Sequence, residues 1–113
     1  LEAFCTREDA AAFLASADDV PVGFAACALR WEYVEGTEQS PAGYLEGIFV
    51  AAAFRRCGAA AGLLRRCEAW AKEKGCAEFA SDCELENEES RLFHAACGFS
   101  EVCRTINFAK RLA

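Results

Sequence analysis

Methionine is absent from the sequence, position 1 included, which points to a reading frame that begins further upstream. Proline is nearly absent as well, with 2 residues in 113, and glycine numbers only 8, so the chain is neither linker-like, collagen-like nor disordered. It has no internal repeats and no low-complexity tracts. No apolar run reaches the ~18 residues that a bilayer span requires, because Arg30, Glu46, Arg55 and Arg65 interrupt every candidate. The expectation is a protein without membrane spans. The start, Leu1-Glu2-Ala3-Phe4-Cys5-Thr6, has neither the basic n-region nor the apolar h-region of a secretory signal, and a cytosolic (cytoplasmic) location is expected. With one histidine, His94, and no C-x-x-C, the chain offers no zinc-type spacing, and no metal is expected.

Eight cysteines are nevertheless present, at positions 5, 27, 57, 67, 76, 83, 97 and 103. Their almost even spread, with no C-x-x-C, argues for mostly reduced thiols rather than a disulfide framework. Cys27, Cys67 and Cys97 fall on the apolar faces of predicted elements and read as small core hydrophobes. A hydrophobic content of 54% over residues 1–113 is enough for a single domain with one core.

Charge is unevenly distributed. The net charge of -6 argues against nucleic acid as a partner, since phosphate neutralisation needs cations. From Trp31 to Gly47 the chain carries Glu32, Glu35, Glu38 and Glu46 without a base, and from Glu78 to Glu89 it carries six acids without a base. Between them, Arg55, Arg56, Arg65, Arg66, Lys72 and Lys74 outnumber Glu68 and Glu73. Acidic blocks attract a cation and the basic block an anion; the plainer reading of each run alone is a solvated face.

Patterning predicts an α/β order. Thr6 to Asp9 resembles a capping box, and Ala10, Phe13, Leu14 and Ala17 follow at helical spacing, so a helix is expected to about Ser16. Alternation at Val22, Phe24, Ala26 and Ala28 predicts a strand ending near Trp31, and a polar loop follows from Glu32 to Gly43. Tyr44 to Val50 reads as a buried strand with one anomalous charge, Glu46. Ala60, Leu63, Leu64, Cys67, Trp70 and Ala71 form a helical stripe that stops near Gly75. Residues 77–83 read as a strand, Asn87 as the N-cap of a helix closed by Gly98, and residues 99–111 as one or two final strands. Crossover helices between strands imply a partly parallel sheet.

One segment invites chemistry. Arg55-x-x-Gly58-x-Ala60 lies between a buried strand and a helix start, where unpaired N–H groups and the helix dipole favour an anion such as a pyrophosphate. Gly58 permits close backbone approach, and Arg55 or Arg56 adds charge-assisted bonds. Alone, the pattern also fits an ordinary strand–helix turn with exposed arginines.

This turn resembles the R/Q-x-x-G-x-G/A turn of the GNAT N-acetyltransferase superfamily. The stretch Tyr44-Leu45-Glu46-Gly47-Ile48-Phe49-Val50, followed by Trp70-Ala71-x-x-Lys74-Gly75-Cys76, Ala80-Ser81-Asp82, Asn87 and His94-x-x-x-Gly98-Phe99, is similar to bacterial aminoglycoside 6′-N-acetyltransferases. The resemblance runs from about Val22 to Arg111. It implies a mixed, partly parallel central sheet flanked by helices, here lacking the usual first strand and helix, so that the chain opens at about the second helix. It also implies a homodimer, acetyl-CoA as cosubstrate, and direct attack of an aminoglycoside amine on the thioester through a tetrahedral oxyanion.

Laid on this chain, the resemblance assigns the coenzyme to Ile48, Phe49, Val50, Arg55, Arg56, Gly58, Ala59, Ala60 and Asn87, with the Val50 N–H as oxyanion donor. Glu46 would orient the amine and accept its proton, directly or through water, and the alternative for it is a buried ion-pair partner. Asp82 would be the second carboxylate of the acceptor site, Glu84 an outer contact and Tyr33 a sugar-stacking loop aromatic. Asn87 serves equally as a plain N-cap. His94 stands where many members have a tyrosine that protonates the leaving thiolate, and a packing role is the alternative. Cys103 stands where related enzymes often carry an acid. Two other functional readings stay open: a different acceptor (polyamine, small amine or protein amine), and a non-catalytic acyl-CoA-binding or dimerisation module.

Overall fold

The computed structural model describes residues 2–55 and 58–113, the side chains of residues 2–6 excepted. The chain divides into two compact units, Leu1–Asp82 and Cys83–Ala113.

The first unit is built on a five-stranded sheet in the order β1(Glu2–Thr6), β2(Ala10–Ala17), β3(Val20–Arg30), β4(Ala42–Val50) and β5(Phe79–Ala80). The first four strands are antiparallel neighbours, and β5 joins β4 in parallel after the crossover helix α1(Ala59–Glu73). The sheet is therefore mixed and partly parallel, as expected.

The start of the chain departs from expectation. The helix placed before Ser16 is instead β2, and the chain opens on a strand rather than at a second helix. Alanine-rich sequence satisfies either period. Phe13, with Ala11 and Ala15, is buried at a spacing of two, because Ala10 to Ala17 pair along β3 and only alternate residues can face α1. Asp18 and Asp19, both at positive φ, make the turn between β2 and β3.

The core lies between the sheet and α1. Leu63, Leu64, Cys67, Trp70 and Ala71 form the buried stripe of α1, which packs on β2, β3 and β4, where Phe13, Ala25, Cys27 and Leu45 are buried. The Cys27 and Cys67 thiols meet across this interface. Their mutual hydrogen bond, and then burial, push the Cys67 thiol well up, while the same bond lowers Cys27. Cys27, Cys67, Cys76, Cys83 and Cys103 carry free thiols. After α1, Gly75 at φ 91° lets the Cys76 N–H reach the Ala71 carbonyl at 3.0 Å, ending the helix where the sequence places its stop.

In the second unit, α2(Glu88–Ala96) begins at Asn87, whose side chain accepts from the Ser90 N–H at 3.0 Å. It ends with Gly98 at φ 93°, as the Phe99 N–H bonds the His94 carbonyl at 3.0 Å. Residues 99–113 have no regular secondary structure, against the expected final strands. Among the described residues no backbone ladder reaches them, and strand propensity without a partner does not make a strand.

Candidate active site

β4 carries four of the predicted residues of the first unit, Glu46, Ile48, Phe49 and Val50. Its register against β3 runs Gly47↔Ala26 and then Leu45↔Cys27, so Glu46 is the extra residue of a β-bulge and has no cross-strand partner. A bulge bends the strand and re-aims the side chain it carries. Residues 42–45 are buried, yet Glu46 is exposed. The charge that looks anomalous in an apolar strand is thus delivered to the surface by the backbone itself.

Four side chains converge there. An Arg30 Nη2 donates to Glu46 Oε1 at 2.6 Å and to Oε2 at 3.1 Å. The Arg30 guanidinium carbon lies 3.8 Å from the centre of the Tyr44 ring. The Tyr44 hydroxyl donates to Asp82 Oδ2, two residues beyond β5. Glu46 and Asp82 are therefore linked through Arg30 and Tyr44. The ion pair raised as the alternative for Glu46 exists, but at the surface: the Arg30 and Glu46 side chains are 44% and 38% exposed. Glu46 holds the Arg30 guanidinium above its ordinary value. Burial, then the Asp82 hydrogen bond, push the Tyr44 hydroxyl up to about 12, so it stays a donor at neutral pH.

β4 and β5 pair at Gly43↔Phe79 and Tyr44↔Ala80, and among the described residues the outer edge of β4 beyond Tyr44 has no partner strand. The Ala51 N–H bonds the Val22 carbonyl on the β3 side at 2.7 Å. Backbone groups alternate along a strand, so the Val50 and Ile48 amides face the open edge and the Phe49 amide faces β3. The Gly43 N–H, which also points to the β5 side, differs in parity from Ile48 and Val50. The bulge at Glu46 accounts for that switch. Arg55 Nε donates to the Val50 carbonyl at 2.9 Å, so this guanidinium braces the strand end beside the open amides.

At the start of α1, Gly58 adopts φ 87° and caps the helix without a side-chain hydrogen bond; the first turn carries no acid. The amides of Ala59 and Ala60 lie in that turn, where helix N–H groups have no intrahelical acceptor. Arg56 lies outside the described residues.

Tyr33 sits in the β3–β4 loop, 74% exposed. That loop is pinned by Glu78, whose Oε1 accepts from the Glu38 and Gln39 amides at 2.8 and 2.9 Å. In the second unit, Glu84 is exposed and its carbonyl accepts from the Asn87 N–H at 3.0 Å. His94 Nδ1 lies 2.7 Å from the Ser90 carbonyl, which fixes that nitrogen as a donor, and its ring packs 5.0 Å from Phe99.

Sequence reasoning missed three contributors: Arg30, Tyr44 and Glu78. Arg30 is visible in the sequence only as an interruption of an apolar run, and the register that brings it to Glu46 is set by the bulge. Tyr44, a hydroxyl opening an apolar strand ahead of Glu46, was the available signal.

Comparison with known proteins adds relatives to this geometry. Residues 1–99 match the family model described as "Acetyltransferase (GNAT) family". An aminoglycoside N(6′)-acetyltransferase type 1 of Acinetobacter haemolyticus is 44% identical over 99 residues, covering 88% of this chain and 68% of that protein. The Acinetobacter baumannii enzyme of the same name is 49% identical over 84 residues, covering 74% of this chain and 58% of its own length. Among solved structures, AAC(6′)-Iy in complex with the bisubstrate analogue CoA-S-monomethyl-acetylneamine superposes with a TM-score of 0.89 at 43% identity, over 94% of this chain and 72% of that one.

Proposed function

The chain belongs to the GNAT acetyltransferase family, and from that premise we propose that it transfers the acetyl group of acetyl-CoA to the 6′-amino group of an aminoglycoside. The observation that carries the reading is the bulge in β4, which sends Glu46 outward while turning the Ile48 and Val50 amides toward an unpaired edge. One strand thereby carries a carboxylate for a cationic acceptor and amide donors for an acyl donor.

The residues present suit acetyl-CoA: a helix start free of acids and of a side-chain cap, next to open strand amides. Gly58, Ala59 and Ala60 would hold the pyrophosphate through their N–H groups, with Arg55 and Arg56 adding positive charge. Ile48, Phe49 and Val50 would hold the pantetheine arm. Bound there, acetyl-CoA supplies the activated acyl group. The Val50 N–H would donate to the thioester carbonyl oxygen, where negative charge develops. Glu46 orients the ammonium and takes its proton directly or through water, since only a neutral amine attacks. Asp82 holds a second ammonium, and Tyr33 lies against a sugar ring. From the second unit we assign Asn87 a coenzyme contact, Glu84 an outer acidic contact and His94 protonation of the departing thiolate, on their places in the family's sequence pattern. We place the reaction in the cytoplasm, where acetyl-CoA is made and used; among the described residues no helix is long and apolar enough to cross a membrane. A homodimer is part of the proposal, supported by β1, a sheet-edge strand able to pair with a second copy.

The test is thiol release from acetyl-CoA by the purified protein with neamine, spermidine and a basic peptide as acceptors, and mass spectrometry to locate the acetyl group. Neamine-dependent release with acetylation at the 6′-nitrogen is expected. Release with spermidine or peptide alone would reassign the acceptor, and coenzyme binding without release would leave a binding module.

A further inference from the structure

We propose that Arg30 is a positioning residue that fixes Glu46 and the Tyr44–Asp82 pair as one acceptor-binding unit. The inference rests on the acetyltransferase reading above. Arg30 is the last residue of β3 and pairs with Ala42, while Ala28, two residues earlier, pairs with Tyr44; the period of two puts Arg30, Ala28 and Tyr44 on one face. From that place the guanidinium does two things at once. Its central carbon lies over the Tyr44 ring, 3.8 Å from the ring centre, and one terminal nitrogen spans both Glu46 oxygens at 2.6 and 3.1 Å. Tyr44 is in turn held by burial and by its bond to Asp82.

Glu46 needs such a brace. As the bulged residue it lacks a cross-strand neighbour whose side chain would confine it. Arg30 supplies the missing lateral contact and ties it to the buried ring, so the two carboxylates keep a fixed relation when a polycationic acceptor arrives. Stability is a poor explanation for the pair, because ion pairs exposed to this degree add little. Lysine cannot replace the arrangement, since a single ammonium cannot both cover the Tyr44 ring and reach the Glu46 oxygens beyond it as the extended guanidinium does.

The experiment uses the full chain. Wild type, R30A, R30K, E46Q and the R30A/E46Q double variant are compared for neamine kcat and KM, for acetyl-CoA affinity by isothermal titration calorimetry, and for thermal unfolding. R30A should lose on the order of 100-fold in kcat/KM for neamine, the scale of a misplaced catalytic contact, with acetyl-CoA affinity unchanged. R30K should recover only a minor part of that loss although it keeps the charge. The double variant should be scarcely worse than E46Q, because Arg30 acts through Glu46. Losses that multiply in the double variant, full rescue by R30K, or an R30A as active as wild type would each overturn the inference while leaving the acetyltransferase reading intact. If R30A does not fold, R30K decides: wild-type kinetics in it refute the positioning role, and impaired neamine kinetics with unchanged unfolding support it. Wild-type protein that acetylates no acceptor would overturn the reading and this inference together.

Discussion

Replacing Gly43 by alanine probes how tightly the candidate site is backed by the core. A Cβ at this position would lie 2.5 Å from Phe79 Cδ1 and 2.7 Å from the Ala71 Cβ. The Ala71 methyl is fixed to α1 and has no rotamer by which to retreat, so relief must come from moving β5 or the helix. Overpacking of this kind costs roughly 1–3 kcal/mol. Taking about 2 kcal/mol, a chain of this size should melt roughly 8 °C lower. The cheaper displacement is that of β5, whose only two pairs with β4 are Gly43↔Phe79 and Tyr44↔Ala80. Moving it carries Asp82 off the Tyr44 hydroxyl and should lower neamine turnover more than acetyl-CoA affinity. Gly47→Ala is the control, since a Cβ there meets nothing within 4 Å, and its melt should stay at the wild-type value. Circular dichroism melts and steady-state kinetics of both variants make the comparison. A G43A protein that melts and turns over like G47A would refute the packing argument.

Tyr44 should make stability fall at alkaline pH. Its hydroxyl is held up to about 12 in the folded chain against an ordinary value of 10.0, so its contribution is complete below pH 10 and is lost as pH rises toward 12. Urea unfolding across that window should show the decline in wild type, and Y44F should lack this component. Glu78→Ala should free the β3–β4 loop: hydrogen exchange of the Glu38 and Gln39 amides should accelerate, with stability reduced by about 1 kcal/mol, and unchanged exchange would contradict the anchoring role. Gly58→Ala forces a side chain into a left-handed conformation at a cost of roughly 1–2 kcal/mol, and calorimetry should find acetyl-CoA bound more weakly.

The sequence makes some parts of the fold plain and hides others for identifiable reasons. The Leu63, Leu64, Cys67, Trp70 and Ala71 stripe has a period that only a helix satisfies, and Asn87 and Gly98 mark the ends of α2 through local backbone chemistry. Residues 10–17 were not legible. Alanine carries little polarity contrast and leucine favours helices, so the pairing with β3 overrode a local preference. The strand expected over 77–83 shrinks to Phe79–Ala80 because β5 pairs with β4 at only two positions. At the site, Glu46 stood out as a charge in an apolar run. Arg30 did not, since neither the bulge nor the register that joins it to Glu46 is written in any local pattern.

In the proposed reaction Glu46 serves the acceptor while the Gly58 turn serves the coenzyme. Measuring E46Q by calorimetry with acetyl-CoA and by neamine kinetics separates the two most directly. Coenzyme affinity equal to wild type and neamine turnover reduced on the order of 100-fold are expected. A matching loss of acetyl-CoA binding, or full turnover, would contradict that division of roles.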